Sequence, residues 1–191
     1  MSIAGTRTTA DGLTTEVDRG WRRRRAERRR LARQDAASAR LAELHHIQAL
    51  LDEAAVVVGG GWVQKAWFAV RRPSGEQVTL TAHRIDAADY AEVTGACLVG
   101  GIVHAAGGPS TVHSQLVQRT LDLTWHTLYE DDGATVRWCP SPAVRASHVR
   151  DLTRWNDDPR RTREEVVSLL RSAVTTADAQ ARACLSPPIS R

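Results

Sequence analysis

The chain has 191 residues, of which 42% are hydrophobic, so it is long enough for one domain with a buried core plus extensions. Its net charge of +4 is uneven, because residues 18–40 hold ten arginines against three acidic residues and carry +7, which leaves −3 for the remainder. The three cysteines are too scattered for a disulfide framework or a Cys-x-x-Cys zinc site, and no apolar run approaches the roughly 18 residues of a membrane span. We therefore expect a reduced, cytoplasmic setting, with no metal and no cofactor.

The N-terminal part changes character along its length. Residues 1–15 offer little to bury, which predicts a disordered tail. Residues 16–40 have a helical pattern but few apolar side chains, which predicts an arginine-rich helical extension. From residue 41 to Val58 apolar residues recur at spacings of three and four, so this half of the helix can dock on a core. The following glycines, 59–61, end it.

The middle of the chain predicts a β-hairpin followed by a buried helix. Residues 62–72 and 77–81 favour strands and flank a Pro-Ser-Gly turn. A short helix beginning at Asp86 is predicted to run through Val93. Residues 94–108 carry no formal charge, which predicts a helix that is buried almost all round.

Two glycines of that central segment carry a further prediction. Gly100 and Gly101 would each cost about 1 kcal/mol relative to alanine inside a helix. Such a cost is reasonable if a neighbouring backbone must come close. The central helix is therefore expected to be packed tightly against its neighbours.

Three more helices are predicted after the central one. Ser110 caps a helix that runs to about Glu130, Ser141-Pro142 opens a helix over residues 143–155, and Thr162 with Glu165 forms a capping box for the last helix. The predicted fold is mainly helical α+β, with about five helices packed around a buried small-residue helix and one β-hairpin. The globular domain spans residues 41–185, and residues 186–191 form a tail.

Three short motifs resemble a known family. They are Gly61-Trp62 with Gln64, Cys97-Leu98-Val99-Gly100, and Trp155-Asn156-Asp157 followed by Pro159, Thr162 and Glu165-Val166. This combination is similar to a family of small proteins of unknown function that is common in actinobacterial genomes, plasmids and phages. The resemblance covers about residues 40–175 and excludes the arginine-rich extension. It implies a shared fold and no particular activity.

Cys97 is a candidate nucleophile. It is predicted near a helix N-terminus, where the helix dipole lowers a thiol pKa, and His83 is the histidine that could pair with it. His104 lies about 10 Å farther along the helix axis and is too far away to be the direct partner. The alternative interpretation is a small buried packing residue.

Trp155, Asn156 and Asp157 permit two interpretations. They could present an amide and a carboxylate to a ligand on a rigid aromatic base. Equally, they could form a corner between two helices, in which Asn156 adopts a left-handed C-cap conformation. The acidic pairs at 131–132 and 157–158 adjoin turn residues, and no spacing of ligating residues supports a metal site.

The arginine cluster is the main functional signal. As a helix it would be positive nearly all round, and such a surface attracts phosphates without reading sequence. The predicted function is a non-enzymatic accessory or regulatory protein, of a mobile element or its host, that contacts nucleic acid non-specifically. The alternatives are a solvated tail, a cysteine-dependent hydrolase or transferase using Cys97, and a protein-interaction domain with contacts at Trp62, Trp67 or Trp138. The predicted nucleic-acid-binding residues are Trp21, Arg22, Arg23, Arg24, Arg25, Arg28, Arg29, Arg30 and Arg33.

Overall fold

A computed structural model describes residues 11–82, 92–130, 136, 138 and 141–185, and for residues 11–20 it describes the backbone alone. The chain divides into two units, Met1–Arg40 and Leu41–Arg191. The tail predicted at 186–191 and the first ten residues lie outside the described part of the chain.

The described residues form five α-helices and one three-stranded sheet, so the predicted mainly helical α+β fold is confirmed. A single turn of 3-10 helix, Pro109–Thr111, precedes the third helix. The elements in chain order are α1 (Asp11–Gly60), β1 (Phe68–Arg71), β2 (Gln77–Leu80), β3 (Glu92–Ala96), α2 (Leu98–Ala105), α3 (Gln115–Tyr129), α4 (Pro142–Asn156) and α5 (Arg163–Leu185).

Helix α1 begins earlier than the sequence predicted. It starts at Asp11, so residues 11–15 are helical and not part of a disordered tail. Once a helix is formed, each added residue contributes one more hydrogen bond, and no proline interrupts this stretch. In the second unit, α1 buries the predicted apolar stripe and ends at the predicted glycines; the fully buried members are Leu44, Ile47, Leu51, Ala54 and Val58.

The sheet is larger than a hairpin. β1 pairs antiparallel with β2 on one side and with β3 on the other, in the order β2-β1-β3. The first strand was predicted from Trp62, but it begins only at Phe68. Trp62 forms a single β-bridge to Ala96. Lys65, which lies between Trp62 and Phe68 in sequence, adopts a left-handed φ of 58°, and an extended strand does not permit this conformation.

The prediction of helix at residues 92–97 is wrong. Glu92–Ala96 is a strand, and α2 starts only at Leu98; residues 83–91 lie outside the described part of the chain. Small uncharged residues fit a strand as well as a helix, and the second edge of β1 takes this segment as its partner. Gly95 permits a close approach of β3 to the chain just after α1, because a Cβ there would lie 2.7 Å from the carbonyl oxygen of Gly61.

Helix α2 lies in the core, as predicted, and its residues 98–103 are all buried. The expected close approaches are present at both glycines. A Cβ on Gly100 would overlap the carbonyl oxygen of Trp67, and one on Gly101 would lie 2.7 Å from a methyl carbon of Val58. Glycine therefore lets α2 contact both α1 and the chain that enters β1.

The last three helices differ from the predictions only at one start. The cap of α3 is Ser114 and not Ser110, because Ser110 lies inside the 3-10 turn, and the Ser114 hydroxyl accepts from the Val117 N–H at 3.3 Å. Helix α4 follows Ser141 as predicted. The capping box of α5 is confirmed: the Thr162 hydroxyl accepts from the Glu165 N–H at 3.2 Å, and the Glu165 carboxylate accepts from the Thr162 N–H at 2.8 Å.

Candidate functional site

The arginine-rich segment, defined here as residues 21–33, is entirely helical and exposed. Trp21 retains 48% of its accessible surface, and the guanidinium carbon of Arg25 lies 5.1 Å from the centre of its ring. Glu27 approaches Arg30 to 3.7 Å, with more than half of both side chains exposed. An ion pair this exposed is weak. The segment therefore keeps its strongly positive surface.

Cys97 lies at the N-terminus of α2, as predicted, and has the burial of a packing residue. It is 1% exposed, and its Sγ caps α2 by accepting a hydrogen bond from the Gly100 N–H at 3.3 Å. Burial raises the pKa of this thiol from 9.0 to about 12, since desolvation outweighs the hydrogen bonds from backbone N–H groups. The backbone N–H groups at the helix N-terminus do lower this pKa, as predicted, but burial raises it by more. His83 lies outside the described residues, and His104 meets the Phe68 ring edge-on, with their centres 6.3 Å apart.

Asn156 is fully buried and uses all four of its hydrogen-bonding positions. Its Oδ1 accepts from the Trp62 indole N–H at 2.9 Å and from the Leu98 backbone N–H at 3.1 Å. Its Nδ2 donates to the Val63 carbonyl oxygen at 3.2 Å and to the Asp157 carboxylate at 2.9 Å. The amide has no hydrogen-bonding capacity left for a ligand.

The neighbours of Asn156 extend this arrangement. The Asp157 carboxylate also accepts from the Lys65 N–H at 2.8 Å, and Gln64 donates to the carbonyl oxygens of Asn156 and Asp158 at 3.0 and 2.8 Å. The predicted left-handed C-cap at Asn156 is wrong. Asn156 is the last helical residue of α4, and Asp157 is the C-cap with a φ of −89°.

The three sequence motifs therefore meet at one place, which we call the Asn156 junction and define as Trp62, Gln64, Leu98, Asn156 and Asp157. Trp155 lies beside it, with the guanidinium carbon of Arg161 4.0 Å from its ring centre. Residues more than 90 positions apart in sequence are joined there by direct hydrogen bonds. This geometry favours the structural interpretation of Trp155-Asn156-Asp157 over a ligand site.

A buried polar cluster between α3 and α4 was missed by sequence reasoning. The Asp122 side chain is 1% exposed, and its Oδ1 lies at hydrogen-bonding distance, 3.0 Å, from His148 Nδ1. Its other oxygen lies 3.5 Å from Arg145 Nε. Trp125 stacks on His148, with ring centres 3.9 Å apart. The available signal was a carboxylate set between Leu121 and Leu123 in an apolar stretch of helix.

No cluster of three or more His, Cys, Asp or Glu side chains suited to a metal ion occurs among the residues that the structure describes. The acidic pair at 131–132 falls outside them. Within the same residues, no helix combines the length and the apolar character that crossing a bilayer would need.

The fold and the Asn156 junction define a small, mainly helical α+β protein whose sequence motifs hold its core elements together. The chain belongs to a family of unknown function, DUF6197, which it matches over residues 42–176. This range agrees with the resemblance described from the motifs and leaves the arginine-rich segment outside the match. No curated protein and no solved structure matches the chain.

Proposed function

We propose that this is a cytoplasmic accessory or regulatory protein of a mobile element or its host. We propose that it binds nucleic acid non-specifically through the arginine-rich segment. The observation that carries the proposal is a run of exposed arginines on one helix, attached to a chain whose remainder is net negative. The exposed arginines are Arg22, Arg23, Arg24, Arg25, Arg28, Arg29, Arg30 and Arg33.

The dimensions of the segment suit a phosphate backbone. From Arg22 to Arg33 the helix rises about 17 Å at 1.5 Å per residue. A DNA duplex carries a charge every ~1.7 Å of its axis, so this length faces roughly ten phosphates. Arginines at 22, 25, 29 and 33 share one face of the helix, and the others cover much of the rest. No sequence preference is expected, because phosphate contacts carry no base information.

Trp21 adds a group that phosphate binding does not need. Its ring is half exposed at the start of the segment and lies against the Arg25 side chain. An aromatic ring in a basic surface can stack on an unpaired base, which contributes to binding of single strands regardless of sequence. We therefore expect Trp21 to matter more for single-stranded than for duplex DNA.

The other interpretations have less support in the described contacts. The Cys97 thiol is buried and protonated, which does not favour a nucleophile. Trp62 is engaged in the Asn156 junction, and Arg119 lies over the Trp138 ring with its guanidinium carbon 5.4 Å from the ring centre. Neither tryptophan offers a free contact surface comparable to the arginine-rich segment.

The test is the salt dependence of binding to labelled random-sequence duplex DNA, measured by fluorescence anisotropy. If the four arginines of one face contact phosphates, the logarithm of affinity falls with the logarithm of salt at a slope of about −3.6. Affinity then drops about 10²-fold between roughly 50 and 200 mM salt. The variant R22Q/R25Q/R29Q/R33Q is expected to lose most of this slope.

A matched control removes four exposed arginines from α4 and α5: R150Q/R154Q/R171Q/R182Q. It changes the net charge equally but leaves the segment intact, so its slope is expected to stay close to that of the wild type. Equal losses in the two variants would show that net charge alone acts. Undiminished affinity at low salt after removal of residues 1–35 would refute the proposal.

A further inference from the structure

A pocket of about 500 Å³ opens beside the buried polar cluster. Its described walls come from α3, from α4, from the turn before α3 and from the chain that enters β1. They are predominantly apolar and include Trp67, Leu121 and Val149. A volume of this size and an apolar lining with a few polar groups are typical of small-molecule sites.

Arg145 is the one side chain with a permanent charge among the described residues that line the pocket. Its side chain is one quarter exposed, but its Nε is buried and has no hydrogen-bond partner. Asp122 Oδ2 lies 3.5 Å from this Nε, is buried and also lacks a hydrogen bond. The ion pair therefore holds the Arg145 side chain in place but leaves its Nε without a hydrogen bond.

The Asp122 carboxylate is itself anchored, since its Oδ1 is 3.0 Å from His148 Nδ1 and His148 stacks on Trp125. This makes Arg145 a positioned cation at an apolar pocket and not a freely moving surface side chain. A guanidinium presents parallel N–H donors that match the two oxygens of a carboxylate.

We propose that this pocket binds a small organic acid with one carboxylate and an apolar body, the carboxylate pairing with Arg145 and the body lying against the apolar walls. A dianion such as phosphate fits less well, because it would bring a second negative charge close to buried Asp122. The proposal does not rest on nucleic-acid binding, since no residue of the arginine-rich segment lines the pocket.

The test compares acids with their neutral amides by isothermal titration of the full-length protein. The probes are octanoate against octanamide, and phenylacetate against phenylacetamide, which differ only in the charged group. We expect saturable binding of at least one acid, at least tenfold tighter than that of its amide. Equal binding of acid and amide, or no saturable binding of either acid, would overturn the proposal.

Two variants locate the site, with one control. R145Q is expected to remove the preference for the acid, whereas R150Q, on the same helix but exposed and outside the pocket lining, leaves it unchanged. A146F places a larger ring into the pocket from an exposed position, so it should weaken acid and amide alike by at least tenfold without unfolding the protein. If R145Q does not fold, A146F decides: undiminished binding there would exclude this pocket.

Discussion

Replacing Gly100 by alanine tests how closely α2 must approach the chain that enters β1. The new methyl carbon would lie 2.9 Å from the Trp67 carbonyl carbon and 3.3 Å from Cε1 of Phe68, and it would overlap the Trp67 carbonyl oxygen. The obstacle is mostly backbone, so the helix must move. That movement breaks the bond from the Cys97 N–H to the Trp67 carbonyl oxygen, which is now 3.0 Å long.

The free energy of unfolding should fall by about 3 kcal/mol. Overpacking costs about 1–3 kcal/mol and the unpaired buried Cys97 N–H another ~1–3 kcal/mol, while the better helix propensity of alanine returns about 1 kcal/mol. For a chain of this size the loss corresponds to a melting temperature lower by roughly 6–12 °C. Thermal and urea unfolding followed by circular dichroism measure it.

Gly59 provides the matched control, because no atom lies within 4 Å of a Cβ built there. G59A should stabilise the protein by up to about 1 kcal/mol, the ordinary difference between glycine and alanine in a helix. G101A should fall between the two, since its obstacle is a side-chain methyl group of Val58. A G100A protein as stable as G59A would refute the close-packing argument.

Two further predictions concern buried groups. N156L leaves the Trp62 indole N–H and the Leu98 N–H without their acceptor, so we expect a loss of about 3 kcal/mol or more in urea unfolding, and a loss below about 1 kcal/mol would contradict the role of the junction. Cys97 has a folded-state pKa of about 12, above its ordinary value of 9.0, so its contribution to stability is complete below pH 9 and is lost as the pH rises towards 12. Near pH ~10.5 the wild type should have lost about 2 kcal/mol more than C97A, and parallel stability curves for the two proteins would contradict the burial of the thiol.

Local patterns allowed the helices of this fold to be predicted. The apolar stripe of α1 from Leu44 to Val58 repeats with the helix period, and this repeat is present in the sequence itself. The Thr162–Glu165 box joins residues three apart, so both partners were visible in one short window. In these two cases the interacting groups are close in sequence, and the sequence was sufficient.

Long-range pairing was not predictable in the same way. Glu92–Ala96 forms a strand because it pairs with the second edge of β1. The residues of the segment itself do not indicate that this edge is free for pairing. One local feature was also missed: Ser110 and Ser114 are both suitable caps, but Ser110 lies inside the 3-10 turn that begins at Pro109, so Ser114 caps α3. Asp122 and His148 are 26 residues apart in sequence and are in contact in the fold. The sequence showed only that a carboxylate lay in an apolar stretch.

The geometry of the Asn156 junction separates what the motifs explain from what they do not. Its amide and indole groups form hydrogen bonds with one another and with backbone groups. If any of them bound a ligand instead, a buried partner would lose its hydrogen bond, which costs about 1–3 kcal/mol of stability. The motifs therefore account for the fold and not for an activity. Groups with capacity left for a partner lie elsewhere, on the arginine-rich segment outside the family match and at Arg145 in its pocket.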